Sequence, residues 1–169
     1  MKKIELTQGQ VTIVSDADYG ELSKYKWCAK WDTHTRSFYA IRSPKRDKTG
    51  KRTMIYLSRE VLGLKKGNKL QADHINRRTL DNRRCNLRIC THQENARNRH
   101  KRRTHAGGKC SSQYKGVHWN KQTAKWVSMI GFGDKRIYLG LFTSELEAAI
   151  AYNTKASELF GEFANLNKI

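Results

Sequence analysis

Apolar residues in the first 57 positions come in short runs separated by turn signals: Ile4 to Leu6, Val11 to Val14, Tyr25 to Trp31, Phe38 to Ile41 and Thr53 to Leu57. Runs this short, bounded by polar residues, predict β-strands. Between the second and third, Asp16 to Tyr25 opens on acids and carries Leu22, which suits a brief helix. Ser43 to Arg52 holds Pro44, Gly50 and many charges, and reads as an exposed hairpin loop. A second helix is predicted over Ser58 to Leu62, closed by Gly63, with Lys65 to Lys69 as a polar connection. Short strands follow at Leu70 to His74 and Asn86 to Cys90. Thr91-His-Gln-Glu94 has the spacing of a capping box, so a helix should start there and run to about Arg99.

Periodicity then lapses. Residues 101–113 mix bases with small residues and read as a flexible linker, which places a domain boundary there. Beyond it lie three strand-like segments, Tyr114 to Trp119, Lys125 to Ile130 and Arg136 to Phe142, separated by polar and glycine-rich turns. Ser144 and Glu147 offer another capping box, and Leu146, Ala149, Ile150, Asn153, Ala156 and Phe160 recur at helical spacing until Gly161. The pattern therefore predicts an α+β chain. A β-rich N-terminal region (1–57) leads into a strand–strand–helix unit (58–100), then a basic linker (101–113), then a three-stranded antiparallel sheet packed on one helix (114–169).

Charge narrows the partners. Lys plus Arg number 34 against 15 Asp plus Glu, a net +19 with a pI near 10.1, which favours a polyanion and above all nucleic acid. Residues 71–110 are the densest part, with 11 basic and 3 acidic groups. Such a run can also be simply a solvated face. No stretch approaches the roughly 20 apolar residues needed to cross a bilayer, and Met-Lys-Lys is not followed by an apolar run, so a soluble, cytoplasmic protein is expected. Cys28, Cys85, Cys90 and Cys110 are irregularly spaced without a C-x-x-C pair, which indicates neither a disulfide framework nor a zinc ribbon. Cys85, Cys90, His92 and Cys110 could meet around zinc, but buried free thiols are the simpler reading.

Cleaving a phosphodiester takes an activated water, a cation at the phosphate and help for the departing 3′ oxygen. Asp73 and His74 are adjacent on an extended segment, so their side chains point apart unless a bend brings both to one site. The capped helix supplies Asn95 from its first turn. The string Asp73-His-Ile-Asn, Leu80-Asp-Asn-Arg-Arg-Cys-Asn86-Leu-Arg and Thr91-His-Gln-Glu-Asn95 closely resembles the signature of HNH homing endonucleases with a ββα-metal finger, over about 50 residues. The resemblance implies His74 as general base, Asp73 and Asn95 as ligands of one divalent cation, Mg²⁺ or Mn²⁺, and Asn86 holding the His74 ring. By residue type alone Asn86 could also be a turn residue before a strand. Asp81 and Asn82 are expected to be loop formers, and His92 to touch phosphate or nothing. With Asn95 in the third position, the chain resembles the H-N-N variety. Such enzymes usually carry Met-His-Arg before the finger, where this chain has Leu57-Ser58-Arg59.

The charged residues suggest how DNA would be held. Arg77, Arg78, Arg83, Arg84 and Arg88 lie in or beside the finger, and Arg97, Arg99, Lys101, Arg102 and Arg103 follow its helix. Phosphate contacts of this kind give affinity without sequence choice. Tyr114-Lys-Gly-Val-His-Trp, Arg136-Ile-Tyr-Leu-Gly-Leu-Phe, Glu147 to Tyr152 and Ala164-Asn-Leu-Asn167 resemble the apetala/ethylene-response-factor DNA-binding domain over residues 112–167. That resemblance implies a sheet laid in the major groove. It nominates Lys115, His118, Arg136 and Tyr138 as contacts, with Lys121 and Lys125 reaching phosphates, while Trp126 and Phe142 read as core. The expected function is a homing-type endonuclease, encoded by a phage or mobile element and acting as a monomer on double-stranded DNA. The alternative is a non-cutting DNA-binding regulator that keeps the finger as a scaffold.

Overall fold

The computed structural model describes residues 1–44, 50, 53–99, 104–105 and 108–169. Most of the loop expected at Ser43 to Arg52, and Lys101, Arg102 and Arg103, lie outside the described residues. The chain is α+β, with several small antiparallel sheets and few helices, and falls into two compact units, Met1–Asn95 and Ala96–Ile169.

In the first unit, β1 (Lys2–Glu5) pairs antiparallel with β2 (Val11–Val14), and α1 (Asp16–Leu22) follows. A second sheet takes β3 (Cys28–Asp32), β4 (Ser37–Arg42) and β5 (Ile55–Tyr56) in sequence order. The run expected as a strand through Leu57 pairs only at Ile55 and Tyr56. Leu57, fully buried, instead opens α2 (Leu57–Val61). The helix is closed by Gly63 at φ +67. β6 (Gln71–His74) pairs with β7 (Leu87–Cys90), placing Asp73 opposite Arg88 and His74 opposite Leu87. Asn86, expected as the first strand residue, ends a one-turn 3₁₀ helix, Arg84–Asn86. α3 (His92–Arg97) starts on a formed capping box, in which Thr91 Oγ1 accepts from the Glu94 N–H and Glu94 Oε2 accepts from the Thr91 N–H.

One apolar cluster joins these parts. Ile4, Leu6 and Val14 from the first hairpin pack with Trp27, Ala40, Leu57 and Leu87. The loop between β6 and β7 is stitched to β2 by the Ile13 N–H to Leu80 carbonyl and Asn82 N–H to Ile13 carbonyl bonds, at 3.0 and 2.8 Å. The N-terminal strands thus brace the candidate site.

The second unit begins differently from expectation. Within residues read as a linker, β8 (Thr104–His105) pairs with β9 (Gly108–Lys109). Two-residue strands are too short to show any periodicity. Then β10 (Val117–Asn120), β11 (Lys125–Phe132) and β12 (Lys135–Phe142) form an antiparallel sheet. α4 (Glu145–Phe160) covers it, capped by Ser144, whose hydroxyl accepts from the Leu146 and Glu147 N–H groups. Ile130, Tyr152, Ala156 and Phe160 form one cluster and Val117, Ala148 and Ala149 another, with Trp126 and Phe142 packed against the latter.

Gly116 explains part of this packing. Its φ is +78, and a Cβ there would stand 2.0 Å from Tyr152 Cδ2. Only glycine fits both the backbone and the space. Asn167 closes the unit from the other end of the sequence, taking the Lys115 N–H on Oδ1 and donating Nδ2 to the Lys115 carbonyl.

Candidate active site and nucleic-acid interface

The strand β6 ends in two buried polar residues, Asp73 at 4% and His74 at 6% exposure. Pleating sends consecutive side chains to opposite faces of the ribbon, as the sequence implies. On one face, Asp73 Oδ2 accepts from Arg88 Nε and Nη2 at 2.9 and 2.8 Å, across the register pair. Arg88 is itself nearly covered, so this is a buried ion pair. Arg88, expected on phosphate, is held by this carboxylate in the unbound chain.

On the other face, His74 Nε2 lies 3.1 Å from Asn82 Oδ1, and the ring meets Tyr39 edge-on at a centroid distance of 6.4 Å. Burial pushes the imidazole below its ordinary pKa, opposed by the Asn82 hydrogen bond and by the charges of Asp73 and Asp81. The neutral ring, which can accept a proton, therefore predominates at neutral pH.

This geometry corrects two sequence expectations. Asn82 is not a mere loop former, since it is the residue that holds the ring of His74. The hydrogen bonds of the Asn86 side chain go elsewhere. Its Oδ1 accepts from the Asn76 N–H at 2.9 Å and its Nδ2 donates to the Asp81 carbonyl at 2.7 Å, while its own carbonyl takes the Ile75 N–H. Asn86 thus pins the loop that leaves His74. The two amides share one loop, and residue type alone could not tell which one turns toward the imidazole.

Asn95 reaches β6 from α3, donating Nδ2 to Gln71 Oε1 at 2.7 Å. Gln71 precedes Asp73 by two positions, so both occupy the same face of the strand. Gln71 Nε2 also lies 3.1 Å from His92 Nδ1, so His92 has a protein neighbour where phosphate or nothing was expected. Sequence reasoning missed Gln71, whose only signal is its alternation with Asp73. A cation near Asp73 and Asn95 would find a carboxylate and an amide oxygen, both hard donors. Among the described residues no group of three or more His, Cys, Asp or Glu side chains is placed to hold a metal.

The remaining arginines divide. Arg83 pairs bidentately with buried Asp81, and Arg84 with Asp18 of α1. Asp81 is held below the usual carboxylate range, first by Arg83 and then by Asn76, against its burial. Arg78 and Arg99 are exposed, and Arg77 is half-buried. In the second unit Arg97 stacks over the Phe160 ring at 4.4 Å. Lys115 Nζ, of a residue nominated as a DNA contact, donates to the carbonyls of Arg97 and Arg99. The others stay outward. Register places Lys125, Val127, Met129 and Gly131 on the face of β11 away from α4, beside His118 on β10 and Arg136 and Tyr138 on β12, and Lys121 is exposed in the turn.

No family model matches the chain. It is 36% identical over 100 residues to an uncharacterized HNH endonuclease of Acanthamoeba polyphaga mimivirus, covering 59% of this chain and 48% of the viral protein. It is 42% identical over 52 residues to an AP2-like ethylene-responsive transcription factor of Arabidopsis thaliana, and 41% over 56 residues to dehydration-responsive element-binding protein 2C of the same plant. Those matches take 30% and 32% of this chain and 15% and 16% of the plant proteins. The chain thus spans about half of the viral relative and a small part of each plant one. No described helix is long and apolar enough to cross a membrane.

Proposed function

We propose that this chain is a metal-dependent DNA endonuclease of the HNH homing type, hydrolysing phosphodiester bonds in double-stranded DNA. The observation that carries the reading is the strand–strand–helix unit in which Asp73 and His74, both buried, end β6 and Asn95 reaches the face of that strand bearing Asp73. His74, neutral by burial, would take a proton from a water as general base. Asp73 and Asn95 would hold one divalent cation, Mg²⁺ or Mn²⁺, through their oxygens. When bound, that ion would supply neutralisation of charge on the phosphate and on the departing 3′ oxygen. Asn82 orients the base, and Asn86 fixes the loop that carries Asn82.

Binding would use two surfaces. The open face of the second unit, with His118, Arg136 and Tyr138, would read the major groove, and Lys121 and Lys125 would take phosphates. Exposed Arg78 and Arg99 would add contacts that carry no sequence information.

A second reading has its own support: the Arg88 guanidinium already answers the Asp73 carboxylate, and Ser58 stands where related enzymes carry a histidine. That reading is a DNA-binding regulator which does not cut. Nicking of a supercoiled plasmid in Mg²⁺ or Mn²⁺, alongside gel-shift binding, separates the two. The nuclease reading expects the native chain to nick and His74→Ala to bind without nicking. Binding by the native chain with no nicking in either metal would establish the regulator.

A further inference from the structure

Resting on the nuclease reading above, we infer that Thr12, on the second strand of the N-terminal hairpin, is a positioning residue for His74. Acting through Asn82, it sets the imidazole with its hydrogen on Nε2 and its lone pair on Nδ1.

The argument is a chain of donors and acceptors with one consistent solution. Thr12 is fully buried, and its hydroxyl donates to the Leu80 carbonyl at 2.8 Å. A hydroxyl has one hydrogen, so toward any other neighbour Thr12 Oγ1 must accept. That neighbour is Asn82 Nδ2, at 2.9 Å. The Thr79 carbonyl, which can only accept, lies 3.4 Å from the same nitrogen. Two acceptors therefore fix which end of the Asn82 amide is nitrogen, an assignment that otherwise rests on choice between near-identical atoms. With the nitrogen so directed, Oδ1 faces His74 Nε2 at 3.1 Å. An amide oxygen offers no hydrogen, so Nε2 must supply it, and in the neutral ring the lone pair falls on Nδ1.

The scaffold makes this durable. Asn82 is 1% exposed, and its own N–H donates to the Ile13 carbonyl beside Thr12. Hairpin and loop are thus bonded through both backbone and side chain, and the amide cannot turn over without losing bonds to Thr12 and Thr79. This gives residues 1–57 a role in the chemistry that their sequence pattern alone did not disclose. If Thr12 lost its hydroxyl, the amide could rotate and present Nδ2 to the ring, which would move the lone pair from Nδ1 to Nε2 and tie it up in that bond.

The test uses the full chain labelled with ¹⁵N-histidine, read by long-range ¹H–¹⁵N correlation at a mildly alkaline pH where the ring is neutral, with His74 assigned through His74→Gln. Native protein should show the Nε2–H tautomer. Thr12→Val, of the same shape without the hydroxyl, should shift His74 toward a mixture of tautomers and slow plasmid nicking on the order of 10²-fold, with gel-shift affinity unchanged. Thr12→Ser should restore tautomer and rate together. An Nδ1–H tautomer in native protein would overturn the inference, and this needs no variant to fold. So would a folded Thr12→Val that keeps both tautomer and rate. Native protein with the Nε2–H ring, moved by Thr12→Val, but no nicking in either metal would support the relay and sink the nuclease reading instead.

Discussion

Asn86 carries no reacting atom, yet it satisfies two backbone groups on the loop that follows His74. Asn86→Ala would leave the Asn76 N–H and the Asp81 carbonyl without this partner, at 5% exposure of the side chain that now serves them. Stranding buried polar groups costs about 1–3 kcal/mol, and urea unfolding should show a loss in that range, with nicking reduced in parallel as the loop loosens. Gly116 makes a sharper case in the second unit. Gly116→Ala must strain a φ of +78 and push the Tyr152 ring from a contact of 2.0 Å, so a loss of about 2 kcal/mol or more is expected. Thermal melting of the full chain checks it. An alanine variant as stable as the native protein would show that the ring has somewhere else to go.

At the scale of elements, the loop between β6 and β7 is held by charge as well as amides. Asp81, buried, accepts Arg83 through both oxygens and Asn76 through one, and its carboxyl titrates below the usual range. A carboxyl depressed on folding contributes stability above its unfolded pKa and loses it as pH falls through the folded value. The native chain should therefore lose stability faster than Asp81→Asn as pH drops below about 4, and chemical denaturation at stepped pH compares the two. Elements of this kind were legible in the sequence where the signal is local. The capping box at Thr91 forms, the Ser144 hydroxyl caps α4, and the glycine stops at Gly63 and Gly161 close their helices; β2, β11 and β12 lie where the pattern puts them, while β10 begins at Val117 instead of Tyr114. What stayed hidden depends on distance. Thr12 and Asn82 meet across most of the first unit's sequence, Asn82 and Asn86 are the same residue type on one loop, and Gln71 carries no motif. The β8–β9 pair was invisible because two-residue strands have no period.

For the whole molecule, the net charge of +19 does not say which cations are open to a partner. Acids in the first unit are spent on particular arginines: Glu60 on Arg42, Asp18 on Arg84, Asp81 on Arg83 and Asp73 on Arg88. A cation already neutralised by a carboxylate releases few DNA counterions on binding, because the pair brings little net charge to the phosphates. Exposed bases without such a carboxylate should dominate the salt dependence, and Lys121 in the turn between β10 and β11 is one. Affinity for plasmid-length duplex, measured by anisotropy or gel shift over a series of salt concentrations, should fall steeply as salt rises. Lys121→Ala should lower that slope by about one unit, whereas Arg84→Ala, which breaks an internal pair with Asp18, should lower it far less. Equal effects of the two substitutions would mean that Arg84 leaves Asp18 when DNA arrives. The ion pairs around the loop would then be a store of phosphate-binding groups released by the substrate, and a count of arginines along the sequence would describe the bound state better than the free one.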